Sequence, residues 1–201
     1  MKEERVPDNE DYKLVSLCKN GETDAFEVLV ERHQKKMLNI AYRMIGNYED
    51  ACEVVQDAFV SAYKNIKGFE GKARFSTWLY SIVVNLSRNR LKQLHVRRSR
   101  EEYSLDDPLF TEDGHITKEH SSAEPSALDR LERKDVRQKV QGCIDSMDGE
   151  FKEVLILRDV QGFSYEEVSE MLKLPGGTVK SRLSRARGVL RDCLKKTLGA
   201  L

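Results

Sequence analysis

The chain has 201 residues, with 34 Lys+Arg against 34 Asp+Glu, 39% hydrophobic residues and 34% charged ones. That length suits one ordinary domain or two small ones, and an apolar share this low supports small helical cores rather than one large α/β core. A bilayer span needs roughly 18 apolar residues, and the longest apolar run, Val154-Leu155-Ile156-Leu157, stops at Arg158.

The first twenty residues carry nine charges, which predicts no signal peptide and a cytoplasmic protein. Cys18, Cys52, Cys143 and Cys193 lie far apart with no CxxC pair, so the expectation is reduced thiols. His33, His95, His115 and His120 share no ligand spacing with any cysteine, so neither a metal site nor a cofactor is expected.

Periodicity then divides the chain. Asp11 to Lys19 reads as a short helix before Gly21. Phe26, Leu29, Val30, His33, Met37, Ile40, Ala41 and Met44 recur at three- and four-residue steps, the stripe of one long amphipathic helix. Asp24 is placed to cap its start and Gly46 its end. Asn47 caps a further helix with the stripe Ala51, Val54, Val55, Ala58, Phe59 and Ala62. Gly68 and Gly71 break the chain into a loop from Lys67 to Phe75, and Leu79, Ile82, Val83, Leu86 and Leu91 mark a fourth helix. No period-two alternation argues for a strand.

Between about Gln93 and Arg133 the pattern fails; Pro108, Gly114, Pro125 and several serines read as a flexible linker. Helices resume over Asp135–Ser146, Glu150–Asp159, Ser164–Leu172 and Thr178 to about Leu198. Ser164-Tyr165-Glu166-Glu167 fits a capping box, and Pro175-Gly176-Gly177 forms the turn of a helix-turn-helix, with Thr178 as the next cap. The expected fold is all-α: a helical domain over residues 1–94, a linker over 95–133 and a helix-turn-helix domain over 134–201.

A net charge of zero hides strong segregation. Arg88 to Arg100 holds six bases and no acid, residues 101–132 hold ten acids against Lys118 and Arg130, and Lys173 to Lys196 holds eight bases against Asp192. Two basic blocks around an acidic spacer point to a polyanion. On a wheel of about 100° per residue, Val179, Leu183, Ala186 and Leu190 cluster on one side of the last helix. Ser181, Ser184, Arg185 and Gly188 lie opposite, with Lys180 and Arg182 on the flanks. That is the build of a recognition helix, packed on one side and offering polar groups to base edges and phosphates on the other. Phe69, Phe75, Trp78 and Tyr80 sit beside Asn85, Arg88 and Asn89, a combination suited to unstacked single-stranded bases, although Trp78 in step with Ile82 reads first as core.

Enzyme motifs fail. Gly71-Lys72 lacks the first glycine of a phosphate loop, because position 66 is Ile. Ser16-x-x-Lys19 and Ser61-x-x-Lys64 have no partner motif. A ligand-sensing repressor shares the C-terminal features but requires an apolar pocket within residues 1–90.

Three stretches, Asp50–Phe59, Phe69–Tyr80 and Asn85–Asn89, resemble the second conserved region of bacterial sigma factors of the extracytoplasmic-function group in the sigma-70 family. Gly162–Val168 and Pro175–Arg187 resemble the fourth region of that group. The resemblance implies a non-enzymatic initiation factor that recognises promoters and helps melt DNA. Asp50, Glu53, Val54, Gln56, Asp57 and Phe59 would dock on the clamp helices of core RNA polymerase. Phe69, Glu70, Gly71 and Lys72 would catch a flipped base of the −10 element, and Asn85, Arg88 and Asn89 would line the melted strand. Ser164, Thr178, Lys180, Ser181, Arg182, Ser184 and Arg185 would contact the duplex −35 element, and the acidic linker would thread the polymerase cleft. An anti-sigma factor is the further partner implied. Cys52 stands where an acid is frequent in the family, and Ser184 where an aromatic or His is.

Overall fold

The computed structural model describes residues 9–101 and 127–198, and every regular element among them is helical. α1 (Asn9–Lys19), α2 (Thr23–Ile45), α3 (Tyr48–Asn65) and α4 (Phe75–Glu101) form the N-terminal group. A 3-10 turn, Ile66–Gly68, follows α3. α5 (Ala127–Asp145), α6 (Gly149–Leu155), α7 (Tyr165–Leu172) and α8 (Gly176–Leu198) form the C-terminal group. A π turn, Ile156–Val160, continues α6.

The caps explain several boundaries. The Asp50 amide donates to Asn47 Oδ1 at 2.9 Å, and α2 ends where Gly46 takes φ 86° and returns its amide to the Tyr42 carbonyl. Ser164 and Glu167 close a full capping box. Two expected caps differ. α2 opens at Thr23 from Glu22, so Asp24 lies inside the first turn, where its charge complements the helix dipole. α8 opens at Gly176, and Pro175 accepts from the Thr178 and Val179 amides, which puts Thr178 in the first turn too.

α4 and α5 both extend into the stretch read as linker, to Glu101 and from Ala127. Neither extension sustains an apolar stripe or contains Gly or Pro; 95–101 holds three Arg and a Glu, and 127–133 holds an Ala, two Leu, two Arg and a Glu, mostly good helix formers whatever they face. The rest of the expected linker, 102–126, lies outside the described residues.

The sequence stripes face inward as expected. Leu29, Met37, Ile40, Ala41 and Met44 of α2 meet Ala51, Ala58 and Ala62 of α3 and Leu79, Val83 and Val84 of α4, all fully buried or nearly so. In the C-terminal group Val154, Leu155, Ile156 and Leu157 pack with Val168, Met171, Val179, Leu183 and Ala186. These apolar residues belong to one contiguous cluster that crosses from one group to the other.

The cysteines correct the sequence reading. Cys143 on α5 and Cys193 on α8 form a disulfide, with Cα atoms 5.8 Å apart. A separation of 50 residues concealed a pair that helix packing brings together. Cys18 and Cys52 are free thiols, Cys18 buried.

Candidate nucleic-acid and polymerase interfaces

α3 carries the acids of the expected polymerase surface, and the structure divides them. Glu53, Gln56 and Asp57 are exposed, Asp50 and Phe59 are half-buried, and Val54 is in the core, where it serves packing rather than contact. Arg90 of α4 reaches back to this face, donating to Asp50 at 2.7 Å and to Glu53 at 2.6 Å. The hydrogen bond that Asp50 accepts, and then the acids' charge, hold Arg90 above the usual guanidinium range. Asp57 therefore heads the exposed acidic face. Beside it Phe26, Val30, Phe59, Val60 and Tyr63 line an open apolar groove of about 450 Å³ between α2 and α3.

The loop after α3 is split in the same way. Phe69 is buried against Phe75 and Trp78, with ring centroids 5.7 and 5.2 Å away, and its carbonyl accepts from Lys19 Nζ at 2.5 Å. Glu70, Gly71 and Lys72 are exposed, and Lys72 pairs with Glu70. Gly71 takes φ 72°, the left-handed conformation that turns this tip. Trp78 is half-buried and completes the aromatic cluster, as its core reading required.

Behind this cluster is a buried polar chain with no sequence signal. Asp11 Oδ2 lies 2.9 Å from His33 Nε2, and His33 Nδ1 lies 2.8 Å from the Tyr80 hydroxyl. A carboxylate only accepts, so Nε2–H donates to Asp11. Burial followed by the Asp11 charge pushes the Tyr80 hydroxyl far up. On the following turns of α4, Asn85 and Asn89 are exposed, whereas Arg88 is half-buried and engaged with Glu153.

In the C-terminal group, Val179, Leu183 and Ala186 bury one side of α8, leaving Lys180, Ser181, Ser184 and Arg185 exposed on the outside. Ser164 is spent on the cap of α7, Thr178 is half-buried, and Arg182 pairs with Glu150 at 2.8 Å. Two residues missing from the sequence expectation join this face. Tyr165 lies under Arg158 and Lys180, its ring centroid 4.8 and 5.7 Å from them. Arg187 donates twice to Asp159, at 2.8 and 2.7 Å, which raises Arg187 through those hydrogen bonds first and the carboxylate charge second. Tyr165, Lys180, Ser184, Arg187 and Arg191 border a basic depression of about 620 Å³.

Sequence comparison decides the family. The sigma-70 region 2 model matches residues 29–97, and the sigma-70 region 4 model matches residues 137–190. The chain is 32% identical to the RNA polymerase sigma-H factor of Pseudomonas aeruginosa, over 94% of this chain and 96% of that protein. This chain belongs to the extracytoplasmic-function group of the sigma-70 family.

The sigma factor is also 32% identical to SigW of Bacillus subtilis, over 91% of this chain and 96% of that one. It is 34% identical to the sigma-E factor of Escherichia coli K12, over 88% and 90%. Its fold is that of CnrH, solved in complex with the cytosolic domain of CnrY (TM-score 0.67, 24% identity, 93% of this chain and 98% of that one). A second similar structure is the sigma factor RpoE of Bartonella quintana in complex with the anti-sigma factor NepR (TM-score 0.61, 25% identity, 85% and 96%). No helix among the described residues of this sigma factor is long and apolar enough to cross a membrane. No group of three or more His, Cys, Asp and Glu among them is arranged to hold a metal ion.

Proposed function

We propose that this sigma factor joins core RNA polymerase through the exposed face of α3, lines the melted −10 strand with the α3–α4 loop and α4, and reads the −35 duplex with α8. The observation that carries the reading is the division of α8. Its apolar side packs on α5, α6 and α7, and a cationic, hydroxyl-bearing side of helical width is turned outward, as a major-groove reader requires. Arg185 is exposed with a head suited to a bidentate pair with guanine, and Lys180 leans on Tyr165 beside the depression that suits a phosphate backbone. On α3 the acid Asp57 next to the Phe59–Val60 groove suits a basic amphipathic helix of the polymerase. An anti-sigma factor is the further partner, a reading supported by the complex that the similar factor RpoE forms with NepR.

Asp57→Lys tests the polymerase surface cleanly, because Asp50 also braces Arg90 and its reversal would disturb the packing of α3 on α4. Asp57→Lys should abolish co-elution with core polymerase in gel filtration while leaving the helical signal unchanged. Undiminished co-elution refutes the assignment of this face.

A further inference from the structure

One side chain reaches the α3–α4 loop from outside the residues assigned to the −10 strand. Lys19, the last residue of α1, is half-buried and donates from Nζ to the Phe69 carbonyl at 2.5 Å. The same ammonium lies 5.9 Å from the centre of the Phe69 ring. α1 is itself firmly placed, because Asp11 near its start bonds Arg32 and His33 of α2, and Val15 and Cys18 are buried. Lys19 therefore acts from a fixed post, and a bond from an ammonium to a carbonyl is of the stronger, charge-assisted kind.

Phe69 is where that post meets the loop. Its amide donates to the Ile66 carbonyl at 3.1 Å, which closes the 3-10 turn. Its ring stands edge-on to Phe75, at an interplanar angle of 86°, and tilted against Trp78. Phe75 opens α4, so the tip over residues 70–74 leaves and returns at two packed rings. Packed rings fix where the tip is rooted, but they do not fix the peptide plane that follows Phe69. Lys19 does. A trans peptide is planar, so holding the Phe69 oxygen on Lys19 sends the Glu70 N–H the opposite way. Gly71, at φ 72°, then turns a tip whose direction is already set.

We infer that Lys19 is a positioning residue for −10 recognition. It touches no base; by fixing the peptide between Phe69 and Glu70 it holds Glu70, Gly71 and Lys72 in the orientation that takes the flipped base. The inference rests on the reading of the α3–α4 loop given under Proposed function. A tip ordered beforehand loses less backbone entropy when it captures a base, so the gain exists only where a base is present.

Binding of single-stranded DNA by holoenzyme reads that difference. A pool randomised across the −10 element is partitioned on wild-type holoenzyme, and the recovered strand is remade with one abasic position at a time. Wild type should prefer the parent strand to the strand that is abasic where the loop captures its base. Gly71→Val strains the left-handed turn of the tip and should abolish the preference there, which marks that position. Lys19→Met keeps the alkyl stem without the donor. It should cut the same preference about tenfold, the scale of one charge-assisted hydrogen bond, and leave binding of the abasic strand unchanged. Lys19→Arg keeps a donor and should retain the preference. A Lys19→Met preference equal to that of wild type at the marked position overturns the positioning role while the loop reading stands. Equal weakening on parent and abasic strands is the mark of a phosphate contact or of damaged folding, and overturns the role as well. Wild-type holoenzyme that recovers no strand or binds parent and abasic strands alike, or a Gly71→Val preference that matches wild type throughout, overturns the loop reading and this inference with it.

Discussion

Asp11→Ala tests the buried polar chain that fixes α1 to the rest of the N-terminal group. Asp11 is 2% exposed and accepts from Arg32 Nη1 at 2.6 Å and from His33 Nε2 at 2.9 Å. Removing one partner from a buried pair costs about 3–5 kcal/mol. The low end applies here, about 3 kcal/mol, because Arg32 is one-third exposed and keeps Glu10 at 3.0 Å. For a chain of this size that loss lowers the melting temperature by roughly 6–12 °C. Burial alone would raise the Asp11 carboxyl; the hydrogen bonds and charges of His33 and Arg32 outweigh it and hold the group below its ordinary 3.8. A depressed folded value means that the stabilisation is complete above the unfolded pKa and fades as pH falls below about 4. Thermal melts of wild type and Asp11→Ala, followed by helical circular dichroism, should therefore diverge at neutral pH and converge on acidification below that point. A loss under about 1 kcal/mol at neutral pH, or a gap that persists in acid, refutes the network as an anchor.

Three further outcomes are expected. In transcription by holoenzyme from promoters randomised at the −35 element, Arg185→Ala should relax preference at one position, costing about 1–3 kcal/mol. Lys180→Ala should weaken all sequences alike, and unchanged promoter choice and output in both variants refutes the reading of α8. Reducing Cys143–Cys193, which closes a separation of 50 residues, should destabilise the C-terminal helices by about 4 kcal/mol. Superimposable melts with and without reductant would show that the bridge contributes nothing. Ser164→Ala removes the hydroxyl that accepts from the Glu167 amide and should cost about 1 kcal/mol in urea unfolding; an unchanged midpoint refutes it.

Every regular helix among the described residues was legible in the sequence, because the packed faces repeat at helical spacing and Asn47, Gly46 and the Ser164–Glu167 box mark particular ends. The misreadings have specific causes. Residues 95–101 and 127–133 continue helices without a sustained apolar stripe, which a search for such stripes does not register. Val54 and Phe69 lie inside motifs that suggest contact, yet their neighbours along the helix and in the aromatic cluster bury them. Arg88 read as a free cation because its partner lies 65 residues away, and Arg187 met Asp159 only because the π turn presents that carboxylate beside α8. Pairings of this kind belong to tertiary packing, and no local pattern encodes them. Asp11–His33–Tyr80 is similar: His33 shows in the stripe of α2, but nothing near it names its partners.

The sulfur bridge has a mechanical consequence for promoter reading. α8 is fastened at its start by the turn from α7 and near its end by Cys193. Lys180 lies thirteen residues from Cys193, about 20 Å along the axis at about 1.5 Å per residue. Fastened at both places and packed along its apolar side, α8 moves with α5 as one piece over that length, so under the proposed reading of the −35 duplex it presents its outward face as a rigid rod rather than a hinged one.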